Sequence, residues 1–141
     1  MDLLRRVLAR WTEAKGKPYA AVFLDDSSQK RLVAWWQDRV GIPLLADLKA
    51  HHMTIKFDPS DEVLRGLPIG EEGQLQVVGY AADERGQAVL VRSNVRSYNS
   101  HPHVTVAVAP GTEAVYSNDL LKKTLVHIQG PRLSGTIGVE T

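Results

Sequence analysis

The chain has 141 residues, of which 43% are hydrophobic and 23% charged, so it is long and apolar enough for one domain with its own core. Its formal net charge of +1 argues against a protein that wraps nucleic acid through many phosphates, but permits a local site for a small anion. The absence of cysteine excludes disulfides, thiolate metal ligands and a cysteine nucleophile. No apolar run suits a membrane span or a signal peptide, and we expect a cytoplasmic, monomeric domain over residues 1–141.

Hydrophobic spacing, capping residues and turn residues predict an α+β fold in which the strands pair antiparallel. The predicted elements, in chain order, are a helix over 2–15, a strand over 19–24, a helix between Asp25 and Gly41, a strand over 51–57, a short helix within 58–70, a hairpin of 74–83 and 87–93, a strand within 100–108, a helix within 111–125 and a strand over 132–140. Neither a GxGxxG nor a GxxxxGK[ST] motif occurs, so neither common type of phosphate-binding loop is predicted.

Two of the predicted strands carry the same polar pattern, His-x-Thr. His52 and Thr54 lie in "HHMTIKF", and His103 and Thr105 lie in "HPHVTVAV". Because side chains alternate along a strand, each His shares a face with its Thr, opposite an apolar face that we expect to be core. The apolar residues of the first strand are Met53, Ile55 and Phe57. If the two strands are neighbours, two imidazoles and two hydroxyls meet in one small volume.

Two histidines and two hydroxyls form a coherent set for the hydrolysis of a phosphodiester. Histidine has an unperturbed pKa of about 6.5, so one imidazole can take a proton from water while the other protonates the leaving oxygen. Hydroxyl groups can donate hydrogen bonds to phosphate oxygens. A five-membered cyclic phosphate suits this set, because the ring is strained and needs no stronger activation.

Two other interpretations of these histidines stay open. A histidine at a strand end often has a structural role, and a single His-x-Thr arises easily by chance. A zinc site is suggested by the neighbours His51 and His52 and by His101 and His103. On a strand, however, His51 faces away from His52, and Pro102 disturbs the geometry before His103. The sequence therefore predicts neither a metal nor another cofactor.

The twin motifs, in this order of elements, resemble the two-histidine (2H) phosphoesterase superfamily. The C-terminal third, "HPHVTVAVAPGTEAVYSNDLL" followed by "LSGTIGVE", is similar to the cyclic phosphodiesterase domain of plant and fungal tRNA ligases. There too a P-H-[IV]-T strand precedes a Gly loop, a Ser/Ala-Asn-x-Leu segment and a closing L-x-G-x strand. The resemblance is weaker over residues 1–50, and the 141 residues include no ligase or kinase domain.

The resemblance implies a bilobal fold with two antiparallel sheets around a central cleft and flanking helices. It implies metal-independent hydrolysis of a 2′,3′-cyclic phosphate to a 2′-phosphate, as in tRNA splicing and RNA repair. His52 and His103 would be the acid–base pair, in an order that the sequence leaves open, and Thr54 and Thr105 would bind the phosphate. The implied partners are RNA ends with a 2′,3′-cyclic phosphate or small cyclic nucleotides, together with a separate RNA ligase or kinase.

Further residues are predicted to contact a ribonucleotide. Those in the loop that enters the second motif are Arg92, Arg96, Tyr98 and Asn99. In this loop arginine would bind phosphate and tyrosine would stack on a base, and Tyr19 is a weaker stacking candidate. Lys56 shares a strand face with the first motif and would add positive charge near the phosphate. For each of these residues the competing interpretation is a solvated or structural side chain. His127 lies outside both motifs and is expected to be structural.

Two other functions are alternatives to hydrolysis of a cyclic phosphate at an RNA end. Hydrolysis of a cyclic or 2′–5′-linked oligonucleotide signal would use the same cleft residues, so the sequence does not discriminate between the two reactions. The third interpretation is a non-catalytic module that binds RNA ends. Intact His and Thr in both motifs argue against it, because a protein without turnover has no chemical need for these residues.

Overall fold

The computed structural model describes residues 17–140, so the helix predicted over 2–15 lies outside the described residues. The helices in this range are α1 (Asp26–Trp35), α2 (Asp61–Arg65) and α3 (Tyr116–Lys123), and α1 continues into a π-helical turn, Trp36–Val40. The strands are β1 (Tyr19–Leu24), β2 (Asp47–Leu48), β3 (His52–Phe57), β4 (Glu72–Ala82), β5 (Gly86–Ser93), β6 (His103–Val108), β7 (Val126–His127) and β8 (Arg132–Glu140). None of these helices combines the length and the apolar character needed to cross a membrane.

Six strands close on themselves into an antiparallel barrel. The order around the ring is β6–β3–β1–β8–β4–β5, and the pairing of β5 with β6 completes it. The short strands β2 and β7 add to β6 and β4. The predicted α+β class and antiparallel pairing are confirmed. Two separate sheets are not found in residues 17–140, because the β1–β8 and β5–β6 pairings join all strands into one sheet.

The barrel encloses the main hydrophobic core. Its interior is formed by alternate side chains of each strand, such as Met53 and Ile55 of β3 and Val104 and Val106 of β6, all 0% exposed. Trp36, in the π-helical turn after α1, packs against this core and is also fully buried. Each large apolar side chain buried in this way stabilises the fold by about 1.5–3 kcal/mol. The polar faces of the two His-x-Thr strands consequently lie on the outside of the barrel.

Helix α3 covers part of this outer surface. Its Tyr116, Leu120 and Leu121 pack with Ala81 of β4 and Ala88 of β5 in a second, smaller apolar cluster. Because β5 pairs with β6, α3 and the loop before it also stand over the polar face of the second motif. This packing makes the outer face of β6 one wall of a cavity.

Predicted capping residues are found at the start of α1, at the start of α2 and at the end of the π-helical turn. The Asp25 carboxylate accepts a hydrogen bond from the Ser28 N–H at 2.7 Å, and the Ser60 hydroxyl accepts one from the Val63 N–H at 3.2 Å. Gly41 follows the π-helical turn with a φ of 72°, which glycine adopts without steric cost. The predictions of a helix before Gly41 and of a short helix after Ser60 are confirmed.

Two local features differ from the sequence pattern. Phe57 is 61% exposed rather than part of the core, because β3 ends at this residue and the chain turns at Asp58, whose φ is 50°. The pattern also does not predict β2 and β7, because two residues are too few to show alternation.

Candidate active site

Strands β3 and β6 are neighbours, and Met53 lies directly opposite Val104 in an antiparallel register. In such a pair the flanking positions also face each other, so the His of each motif lies across from the Thr of the other. Met53 and Val104 point into the core, which places all four polar side chains on the outer face of the barrel. The structure therefore brings the two motifs together, as expected for neighbouring strands.

A cavity of about 420 Å³ opens at this point, and we call it the histidine cavity. Both His and both Thr of the motifs line it, together with the rings of Tyr19 and Phe57 and the amides of Asn99 and Asn118. The Glu113 carboxylate lies at its exposed rim. Across residues 17–140, no three histidine, aspartate or glutamate side chains are grouped to hold a metal ion. The cavity lies within the roughly 300–1,000 Å³ range of small-molecule sites.

His103 is held in one orientation by the backbone. It is 8% exposed, and its Nδ1 lies 2.7 Å from the carbonyl oxygen of His101. A carbonyl only accepts hydrogen bonds, so Nδ1 carries a proton and donates it, which leaves Nε2 as the free ring nitrogen. Burial lowers the pKa of His103, while the hydrogen bond to His101 opposes this shift. This hydrogen bond therefore stabilises the imidazolium form of His103, which is the form that acts as a general acid.

His52 lies among aromatic rings. Its ring centroid is 5.0 Å from that of Tyr19, 5.8 Å from that of Phe23 and 4.4 Å from that of His51. Burial, followed by the nearby rings of His51 and His103, lowers the pKa of His52 to about 4. The imidazole is therefore neutral near pH 7, with a lone pair available for a proton.

His51 does not face away from His52, and the sequence prediction is wrong for this residue. Ala50 has a φ of 54°, and β3 begins only at His52. The turn brings Nδ1 of His51 into hydrogen-bond contact with Nδ1 of His52. Burial also lowers the pKa of His51, so one neutral ring donates to the other. His51 is a direct partner of His52, which alternation along a strand does not predict.

The two threonine hydroxyls of the motifs differ in their partners. The Thr105 hydroxyl lies 2.8 Å from the hydroxyl of Ser117 in α3 and donates to the Ala114 carbonyl at 3.4 Å. The Thr54 hydroxyl has no hydrogen-bond partner among the described residues, whereas its backbone carbonyl accepts from Ser97 at 2.8 Å. Thr54 is therefore free to donate to a ligand, while Thr105 also holds α3 over the cavity.

Six residues are predicted to contact a ribonucleotide. Asn99 and Tyr19 line the histidine cavity, whereas Lys56, Arg92, Arg96 and Tyr98 do not. Lys56 and Arg96 lie against the ring of Tyr98, at 5.4 and 5.2 Å from its centroid. Tyr98 is 50% exposed, and its N–H donates to the Ile55 carbonyl of β3 at 2.8 Å. Arg92 and Arg96 line a second, larger cavity. Arg96 and Tyr98 lie on the loop between β5 and β6, whereas Arg92 lies on β5 and Lys56 on β3.

Helix α3 and the loop before it complete the cavity, although the motifs do not single out these residues. Asn118 contributes an amide, and Ser117, 1% exposed, holds the Thr105 hydroxyl. The signal for them is the Ser-Asn pair in "YSNDLL", which belongs to the segment that resembles the tRNA ligase domain. Their position over the cavity follows from the packing of α3 on the β4–β5 hairpin.

Comparison with known proteins shows a similar fold. No family model and no curated protein matches the chain. Among solved structures, the crystal structure of a fungal RNA kinase resembles it with a TM-score of 0.57 and 11% sequence identity. The match covers 88% of this chain and 46% of the fungal chain, so this chain spans less than half the length of that protein. At this identity the likeness concerns the fold alone.

Proposed function

We propose that this protein is a metal-independent phosphodiesterase that hydrolyses a 2′,3′-cyclic phosphate at an RNA end to a 2′-phosphate. The main support is the antiparallel pairing of β3 with β6, which places two histidines and two threonines in one cavity. The imidazoles supply an acid and a base, and the hydroxyls supply hydrogen bonds to a phosphate group. A strained cyclic phosphate is the ester that such a set hydrolyses most readily.

His52 is the general base in this mechanism, and His103 is the general acid. The Nε2 atom of His52 takes a proton from water while the water oxygen attacks phosphorus. The bond between phosphorus and the 3′ oxygen breaks, and Nε2 of His103 gives its proton to that oxygen. The products are a 2′-phosphomonoester and a 3′-hydroxyl. The low pKa of His52 and the His101 carbonyl at Nδ1 of His103 support this order of roles.

His51 is a positioning residue in this scheme. When Nδ1–H of His52 donates to Nδ1 of His51, the lone pair of His52 Nε2 is available to water. The His51 ring also helps to lower the pKa of His52, which keeps the base neutral. His51 acts only through His52 and touches neither the water nor the phosphorus.

The remaining cavity residues suit the terminal nucleotide. The free hydroxyl of Thr54 donates to a phosphate oxygen, and the amide of Asn118 offers further donors on the opposite wall. The exposed ring of Phe57, together with Tyr19, forms a surface on which the terminal base stacks. Stacking of this kind tolerates any base, because every base has a π-face.

The fold likeness supports RNA as the substrate. The similar structure is named an RNA kinase, and the match covers less than half of that protein. We extend the RNA substrate to this chain but not the kinase activity, because the sequence has no GxxxxGK[ST] loop. The 2′-phosphate and 3′-hydroxyl products leave an end that a separate RNA ligase can use, and a ligase or kinase is the partner that we propose.

The function is tested with adenosine 2′,3′-cyclic phosphate in excess EDTA, followed by chromatographic separation of the 2′- and 3′-monophosphates. We expect the 2′-phosphate alone, with rates lowered roughly 10²–10⁴-fold in His52→Ala and in His103→Ala. Thr124→Ala changes an exposed residue just after α3 and should keep full activity. Full activity in both His variants would refute the proposal. So would the absence of product from this nucleotide and from longer RNA ends.

A further inference from the structure

A second cavity lies beside the first, on the outer surface of the barrel. It has a volume of about 1130 Å³ and is lined by parts of β4, β5 and β7 and by the loop between β5 and β6. The side chains most relevant to binding are Arg92, Arg96, His101, His127 and Gln129. We call it the arginine groove. The proposed mechanism uses none of these side chains.

The arginine groove is positively charged. No aspartate or glutamate is found among the described residues that line it. Arg92 and Arg96 are exposed, and neither forms a salt bridge with a carboxylate in the described part of the chain. The cavity on the other side of the loop shares Arg96 with the groove but is also lined by three carboxylates, those of Glu62, Glu71 and Glu72. The arginine groove therefore attracts an anionic chain more strongly than the neighbouring cavity does.

The sheet register connects this groove with the histidine cavity. His103 pairs with Leu90 of β5, and Leu90 pairs with Gly79 of β4. Gly79 in turn pairs with His127 of β7. Paired residues of antiparallel strands share a face, so this row follows the outer surface over three strand spacings, roughly 14 Å. His101, whose carbonyl orients His103, lines the groove itself.

We propose that the arginine groove binds the nucleotides on the 5′ side of the terminal cyclic phosphate, so that single-stranded RNA is preferred over a mononucleotide. This inference rests on the proposed function. With the cyclic phosphate at His103, the preceding phosphates follow the row toward His127 within reach of Arg92 and Arg96. Arginine binds phosphate through paired hydrogen bonds.

Binding is measured by fluorescence anisotropy with a labelled oligoribonucleotide that ends in a 2′-phosphate, so that turnover does not enter. The double variant Arg92→Gln, Arg96→Gln should bind roughly tenfold more weakly, and the slope of log affinity against log salt should fall by about 1.4, that is about 0.7 for each lost phosphate contact. Arg39→Gln removes an exposed arginine outside the groove and should bind like the wild type. Equal affinity of the double variant and the wild type would overturn the proposal.

Kinetics separate failure of the groove from failure of the proposed function. The kcat/KM for a hexanucleotide with a cyclic phosphate end should exceed that for adenosine 2′,3′-cyclic phosphate, and their ratio should fall roughly tenfold in the double arginine variant. Equal values in the wild type, with both substrates hydrolysed, would overturn the groove alone. Arginine-dependent binding without hydrolysis of either substrate would refute the catalytic proposal and support the groove as an RNA site.

Discussion

The hydroxyls of Thr105 and Ser117 lie 2.8 Å apart, and this hydrogen bond joins β6 to α3. Ser117 is 1% exposed, so its hydroxyl has little access to water. Thr54, the corresponding residue of the first motif, has a hydroxyl without a partner in residues 17–140. The two motifs are alike in sequence, but only the second threonine stabilises the packing of a helix.

We expect Thr105→Ala to lower both stability and activity, and Thr54→Ala to lower activity alone. Loss of the Thr105 hydroxyl leaves the buried Ser117 hydroxyl without its side-chain partner, which costs about 1–3 kcal/mol of unfolding free energy. Urea unfolding measures the stability, and hydrolysis of adenosine 2′,3′-cyclic phosphate measures the activity. Thr124→Ala serves as the control for both. Equal losses of stability in the Thr54 and Thr105 variants would contradict this difference.

The pH dependence of kcat/KM should be bell-shaped, with its maximum below pH 6.5. His52, the base, is active when neutral, so activity rises as the pH increases through its pKa of about 4. His103, the acid, is active when protonated, and burial lowers its pKa below the usual 6.5. Activity therefore falls as the pH passes that lowered value. A maximum on the alkaline side of neutrality would contradict these roles.

The stability of the fold should decrease as the pH is lowered from 6.5 toward 4. His52 has a pKa of 6.5 in the unfolded chain, but burial holds the folded value at about 4. Between these values the unfolded state binds more protons, so acid favours unfolding, and the full stability is present only above pH 6.5. For His52 alone the effect is on the order of 3 kcal/mol. Denaturant unfolding across this pH range measures it.

A variant without an imidazole at position 52 is the control for the loss of stability at low pH. His52→Gln should reduce the dependence of stability on pH, because glutamine has no group that titrates in this range. His51 and His103, whose pKa values are also lowered by burial, should retain the remaining dependence. If the pH dependence were unchanged in His52→Gln, the effect would belong to other groups.

His51→Ala should lower kcat more than it changes KM, and should move the acidic limb of the pH profile to higher pH. The His51 ring helps to lower the pKa of His52, so its removal lets that pKa rise. The loss in kcat should be smaller than the roughly 10²–10⁴-fold expected for removal of the base itself. His51→Asn should recover part of the rate, because an amide oxygen accepts the same hydrogen bond. Equal rates in the two variants, with an unshifted limb, would show that His51 does not position His52.

The amino-acid sequence by itself determines most of the elements and the four side chains at the centre of the candidate site. Val104 and Val106 alternate with His103 and Thr105, and this alternation indicates both a strand and its buried face. Asp25 and the other capping residues mark helix ends in the same local way. Such features are predictable because they depend only on neighbours within a few residues.

Only the tertiary structure decides how these elements meet. The pairing of β5 with β6 closes one barrel where the resemblance implied two sheets. The positive φ of Ala50 directs His51 toward His52, and the packing of α3 carries Asn118 over the cavity. Arg92 likewise lies in the arginine groove instead of the histidine cavity because of its place on β5. These relationships join residues through backbone turns and long-range packing of apolar faces, and no short window of sequence contains that information.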